Sequence, residues 1–177
     1  DVSFWAHLEA DQLKLSLDFS GVSLHQRGYR QEQGNTSLKE NLAAALLWQC
    51  GWPMKARDGA ALLDPMCGSG TILAEGILIA ADWAPGLIRK NFGFQSWLRF
   101  EAETWKRFRQ EAIERKADGL DNLPPIIGGD RVDKAIEQTK NNLQRLGILD
   151  HVLLESKELA LWEPNQDKGL LLCDPPY

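Results

Sequence analysis

Residues 60–71 read AALLDPMCGSGT, a short apolar run that reaches an acid, Asp64, and opens through Gly68-Ser69-Gly70 into the helical pattern 71–81. The order is strand, glycine turn, helix N-terminus. Glycines in such a turn allow φ > 0 and let a second molecule approach the backbone, while the free N–H groups of the first helical turn point into the same space. Asp64, at the carboxyl end of the strand, adds a negative charge where an open α/β sheet binds its ligand. A nicotinamide or flavin fingerprint fits poorly. Leu73 stands where the third glycine of G-x-G-x-x-G belongs, and no acid lies about 20 residues further on. An acidic strand end beside a G-x-G turn suits a ligand with a cationic head and a ribose; the alternative is a tight connection with no ligand at all.

Working outward, a second buried-strand run at 170–173 ends in Asp174-Pro175-Pro176-Tyr177. DPMCGSGT followed by DPPY resembles the S-adenosylmethionine-dependent methyltransferases that modify exocyclic amines of nucleic-acid bases. Within them the chain is most similar to the large-subunit ribosomal RNA guanine-N2 methyltransferases that carry a THUMP RNA-binding domain. The segments RGYR (27–30), SLKENLAAA (37–45), APGL (84–87) and FGFQSW (92–97) also look like that family. The resemblance implies an α/β, Rossmann-like doubly wound sheet with a β-hairpin before it. Residues 1–30 would be hairpin and linker, the tail of a THUMP-like region. Residues 31–177 would be a methyltransferase domain, truncated after its fourth core strand.

With 177 residues, 44% of them hydrophobic, the chain can bury one sizeable core. No run of about 18 apolar residues exists and no secretory leader pattern opens the chain, so a cytoplasmic protein without a membrane span is expected. Cys50, Cys67 and Cys173 are odd in number and widely spaced, which fits neither a disulfide framework nor a metal site. His7, His25 and His151 also lack ligand spacing, and no metal is expected. A net charge of −5 argues against a self-sufficient grip on nucleic acid, because affinity for phosphates comes from clustered Lys and Arg. Most of an RNA-binding surface would then lie outside these residues.

In chain order, 1–8 and 13–19 read as two strands about a turn, the second alternating Leu13, Leu15, Leu17, Phe19 and so half-buried. The loop 25–30, with two arginines, a histidine and a tyrosine, reads either as an RNA contact or as a solvated linker. Ser37 and Glu40 have capping-box spacing, and Leu38, Leu42, Ala45 and Leu46 fall on one face of the helix that follows. That helix either borders the methionine end of the cofactor, as the resemblance implies, or is ordinary packing. In the long crossover 82–123, Trp97, Phe100, Thr104 and Phe108 are spaced for one helical face, among charges of both signs that mark a solvated surface. Arg89 and Lys90 beside Phe92 are a weaker candidate for RNA contact.

Residues 124–129 read as the next strand, ending at Asp130. That acid is placed either to accept ribose hydroxyls or to cap the helix 132–146, which Gly147 closes. A third strand spans 152–155. Glu158 follows where the resemblance implies an acid facing the adenine amino group. Cofactor contacts are thus expected at Asp64, Met66, Cys67, Gly68, Gly70, Thr71, Asp130 and Glu158. The resemblance implies catalysis at Asp174, Pro175 and Tyr177: the carboxylate and the Pro175 carbonyl each accept one N–H of the target amine, and the tyrosine ring stacks on a base held out of its helix or loop. The expected activity is methyl transfer to guanine N2 in large-subunit ribosomal RNA. Adenine-N6 methylation of DNA or RNA is the alternative, because DPPY serves both; an inactive, cofactor-binding RNA module is the other. Asp174 stands where the ribosomal group usually has Asn.

Overall fold

Alternation along the first thirty residues produces a two-stranded ribbon. In a computed structural model of the chain, which describes residues 3–30, 38–163 and 168–175, β1 (Ser3–Glu9) and β2 (Gln12–Asp18) pair antiparallel with Phe4 opposite Leu17, Ala6 opposite Leu15 and Leu8 opposite Leu13. The period of two gathers these side chains on one face. That face is not half-buried as expected: Phe4 is 77% and Leu15 69% exposed. Alternation fixes which face is apolar but supplies no partner to cover it.

The base of the ribbon is tied to the crossover. Arg89 donates to the carbonyls of Ser20, Val22 and Ser23, and its guanidinium lies 5.1 Å from the Phe92 ring centroid. The Phe94 N–H donates to the Phe19 carbonyl at 2.9 Å. Arg89 therefore has a structural role, tying the ribbon to the crossover.

The loop 25–30 is neither a solvated linker nor an outward-facing RNA contact over its last four residues. Arg27 donates from Nε and Nη2 to the Glu75 carboxylate at 3.3 and 3.2 Å, and the Tyr29 hydroxyl donates to the same group at 3.2 Å. Tyr29 is only 2% exposed and belongs to the hydrophobic core. Burial holds the Glu75 carboxyl above its ordinary range despite Arg27 and Tyr29, and burial followed by the charge of Glu75 pushes the Tyr29 phenol up. What reads in sequence as a basic surface loop is a strap across a buried acid.

After the strap come α1 (Glu40–Gln49) and α2 (Trp52–Arg57), separated at Gly51, which takes φ 72°. The buried positions of α1 are Glu40, Ala43 and Leu47, while Leu42 and Ala45 are exposed, so the helix is turned away from the face that apolar spacing suggests. A buried ion pair explains the rotation: Glu40 meets Arg30 at 3.3 Å. Ser37, the other half of the expected capping box, lies outside the described residues, and the N-cap position is Lys39.

Then follow β3 (Ala61–Asp64), α3 (Thr71–Ala80), α4 (Ala102–Leu120), β4 (Ile126–Asp130), α5 (Asp133–Leu146), β5 (Val152–Ser156) and β6 (Gly169–Leu171). The four later strands form a parallel sheet in the order β5-β4-β3-β6. Leu62 sits opposite Ile126 on one side and Leu170 on the other. Strand order runs outward from β3 to β5 and then reverses to β6, the doubly wound plan, with its switch point between β3 and β6. Trp97 and Phe100 precede α4 instead of lying on it; they join Phe19, Phe94, Thr104 and Phe108 around a shallow aromatic groove. No residue of α4 is fully buried, in keeping with its mixed charges. Among the described residues no helix is long and apolar enough to cross a membrane.

Helix α4 nevertheless approaches the end of α3 closely. A Cβ placed on Gly119 would come within 2.1 Å of the Ala81 carbonyl oxygen. Gly119→Ala is therefore expected to lower stability by about 1–3 kcal/mol, since neither backbone can yield without unseating a helix. Thermal unfolding checks this; an unchanged melting temperature would mean that α4 does not dock there.

Candidate functional site

The carboxyl ends of β3, β4 and β6 meet at a cavity of about 720 Å³, just outside the switch point. The β3 end is Asp64, 1% exposed, whose Oδ1 accepts the Met66 N–H at 3.2 Å. Burial raises its carboxyl to about 7, against that hydrogen bond, and the nearby carboxylates of Asp130 and Asp174 push the same way. A buried acid with two acids near it is a poor host for an anion and a good one for a cation.

The turn after Asp64 has no regular structure of its own and is held from behind. The Cys67 N–H donates to the Gly129 carbonyl at 2.8 Å, and the Gly68 N–H to Asp130 Oδ2 at 3.1 Å. From α5, Thr139 Oγ1 donates to the Gly68 carbonyl at 2.9 Å and Asn142 Nδ2 to the Ser69 carbonyl at 3.0 Å. The two glycines serve different needs. Gly68 has φ 54°, and a Cβ there would meet nothing within 4 Å, so its side of the turn is open to a ligand. Gly70 has φ 79°, and a Cβ there would lie 2.8 Å from the Thr139 methyl; it does not line the cavity and instead admits α5.

Asp130 does two jobs at once. Oδ2 takes the Gly68 N–H, and Oδ1 accepts the Val132 N–H at 3.0 Å at the entrance to α5, whose N-cap residue is Val132 itself. Each oxygen can accept one further hydrogen bond, and Asp130 lines the cavity. Glu158 reaches the same space from the loop after β5, where Gly129 admits the Trp162 ring: a Cβ on Gly129 would stand 2.3 Å from Trp162 Cζ2. Asp174 and Pro175, beyond β6, complete the wall, and both are exposed. Cys67 lines the cavity as well, yet burial pushes its thiol to about 12, so it is no nucleophile.

Of the residues expected from sequence, Asp64, Met66, Cys67, Gly68, Thr71, Asp130, Glu158, Asp174 and Pro175 line this one cavity. Tyr177 lies outside the described residues. Sequence reading missed the first turns of α5, where Lys134 and Gln138 lie one turn apart and face the cavity, and it missed Leu38 and the pair Leu159-Ala160. The first of these was available, because a helix starting directly after an acidic strand end repeats the arrangement at Asp64. Thr139 and Asn142 had no such signal: a threonine and an asparagine inside a helix read as surface, and only the fold turns them toward the glycine turn. Among the described residues, no group of three His, Cys, Asp or Glu side chains could hold a metal ion.

Residues 27–177 match the family described as RMKL-like, methyltransferase domain. The whole chain is 49% identical to part of a ribosomal RNA large subunit methyltransferase K/L of Pseudomonas paraeruginosa and 48% identical to part of the one from Methylococcus capsulatus, spanning 25% and 24% of their lengths. Among solved structures it resembles a predicted N6-adenine-specific DNA methylase from Listeria monocytogenes, with TM-score 0.87 and 34% identity, covering 98% of this chain and 44% of that one. A putative methyltransferase complexed with SAH gives TM-score 0.87 and 32% identity, covering 99% of this chain and 44% of that one.

The buried acid predicts how stability responds to pH. Because the folded state holds the Asp64 proton up to about 7 while the unfolded chain releases it near the ordinary aspartate value, this group's contribution is full at low pH and is lost as pH rises from about 4 to about 7. Glu75, also raised by burial, acts in the same sense. Denaturant unfolding at pH 5 and pH 7.5 should therefore show a smaller loss of stability between the two in Asp64→Asn than in the parent. An identical loss in both would mean that the Asp64 carboxyl titrates as if exposed.

Proposed function

The chain belongs to the RMKL-like methyltransferase domain family, and from that premise we propose that its cavity binds S-adenosylmethionine and serves methyl transfer to the N2 amine of a guanine in large-subunit ribosomal RNA. One observation supports the reading above the others. A glycine turn open on one side, a buried acid, a ribose-competent acid and the Asp174-Pro175 corner all face a single cavity. The residues present fit the cofactor, because the open side of Gly68 is the space a side chain would fill and the lining is acidic where the ligand is cationic.

When bound, S-adenosylmethionine supplies a methyl group on a positively charged sulfur. Asp64 would offset that charge, Asp130 would accept the ribose hydroxyls, and Glu158 would accept from the adenine amine. An exocyclic amine is a weak nucleophile because its lone pair is delocalised into the ring. Asp174 and the Pro175 carbonyl, each accepting one N–H, favour a pyramidal nitrogen and aim its lone pair across the cavity. The transfer would be an in-line displacement in which the N–C bond forms as the S–C bond breaks, S-adenosylhomocysteine leaves and the surplus amine proton passes to solvent, so the protein's part is positioning and charge placement. A second reading, adenine-N6 methylation, is favoured by the description of the Listeria neighbour and by a DPPY corner that accepts either amine.

Two measurements separate these roles. In calorimetric titration with S-adenosylmethionine, Gly68→Val should abolish binding. Asp130→Ala should weaken it by roughly 1–3 kcal/mol, and Asp130→Asn, which keeps an acceptor for one N–H, should weaken it less. Unchanged affinity in both Gly68→Val and Asp130→Ala would remove the cofactor from this turn. In single-turnover assays with ribosomal RNA and saturating cofactor, Asp174→Ala should slow transfer by about 100-fold while leaving cofactor affinity nearly intact. A variant as fast as the parent would reduce DPPY to a turn and favour the inactive RNA-binding module. Mapping of the methylated base then decides between guanine N2 and adenine N6.

A further inference from the structure

Arg30 hydrogen-bonds to two residues of the cavity wall. Its Nη1 donates to the Leu38 carbonyl and, at 3.3 Å, to Thr71 Oγ1, and its Nη2 pairs with Glu40 at 3.3 Å. Its side chain is 7% exposed. Leu38 and Thr71 both line the cavity, yet they belong to different elements: Leu38 leads into α1 and Thr71 is the first residue of α3. Thr71 Oγ1 also lies 3.3 Å from Ser69 Oγ, inside the glycine turn. Arg27 and Tyr29 grip Glu75, one turn further along α3, and do not line the cavity.

We propose that Arg30 is a positioning residue for the cofactor site, fixing the entrance of α1 against the start of α3 so that Leu38 and Thr71 present one continuous wall. A guanidinium suits this task because its donors leave a rigid plane in fixed directions, so donating to a carbonyl and a hydroxyl at once, with its charge paired to a carboxylate, sets the relative placement of the two helix starts. An ammonium on a flexible stem keeps the charge and loses the directions. The neighbours in the strap supply the control, since they are as deeply committed to α3 but hold it away from the cavity. The inference rests on the cavity being the S-adenosylmethionine site.

The test is calorimetric titration with S-adenosylmethionine alongside thermal unfolding, on the parent, Arg30→Lys, Glu40→Gln and Tyr29→Phe. Arg30→Lys is expected to weaken binding roughly tenfold or more, as a displaced wall costs a ligand that must touch both sides of it. Glu40→Gln, which keeps the shape of Arg30's partner and removes its charge, should weaken binding in the same direction by a smaller factor. It keeps the proposal testable if Arg30→Lys does not fold. Tyr29→Phe should lower the melting temperature by a few degrees with affinity within about twofold of the parent. If Arg30→Lys and Glu40→Gln lower the melting temperature as Tyr29→Phe does and leave affinity as unchanged, Arg30 is a structural residue only and the proposal is overturned. A parent that does not bind S-adenosylmethionine fails differently: it overturns the reading of the cavity itself.

Discussion

The turn from Cys67 to Gly70 closes on itself through one bond, from the Gly70 N–H to the Cys67 carbonyl at 2.7 Å, and otherwise depends on groups that are not its own. Backbone and carboxylate at the end of β4 take the N–H groups of Cys67 and Gly68, while two side chains of α5 take the carbonyls of Gly68 and Ser69. A glycine turn with free carbonyls would sample many conformations, because glycine loses more freedom on ordering than any other residue. Held at both sets of polar groups, it has one shape, and that shape leaves the Gly68 side open. What is proposed for the cavity follows from this constraint: the approach of a ligand to the backbone, the tie between the turn and Asp130, and the start of α3 at Thr71.

The same economy appears in the acids. Asp130 spends one lone pair of each oxygen on the fold and has another on each, so the structural role does not exclude the binding role proposed for it. Asp64 is buried at a cost that shows in its raised protonation range. A cationic ligand would reverse that cost, since the charge that disfavours an isolated buried carboxylate favours a pair. Shifts of this kind cluster at sites that bind, although Glu75 shows the same direction inside the fold.

How much of this was legible in the sequence differs between elements for physical reasons. The strand ends were readable, because a short apolar run closing on an acid and a glycine turn has few other meanings, and the residues from Asp64 to Thr71, Asp130, Glu158 and the Asp174 corner follow from it with the family resemblance. The helix α1 was placed correctly in the chain and turned wrongly, because periodicity scores Leu42 and Ala45 above Glu40 and cannot see that Arg30 makes Glu40 a buried residue. Segment 27–30 was misread for the same reason: two arginines and a tyrosine look like a surface until Glu75, 46 positions beyond Tyr29, is brought beneath them. Long-range charge pairing has no local signature. The hairpin erred in the opposite direction, since its alternation describes an apolar face faithfully and says nothing of what lies against it.

The central claim is that one cavity, at the carboxyl ends of β3, β4 and β6, takes the cofactor. Amide chemical-shift mapping by two-dimensional NMR on addition of S-adenosylhomocysteine, the methyl-transfer product form, tests it directly. The account predicts shifts concentrated at residues 64–71, 130–135, 158–160 and 174, with the hairpin and α4 unmoved. Shifts confined to the aromatic groove formed by Phe19, Phe94, Trp97 and Phe108, or no shifts at millimolar ligand, would contradict it.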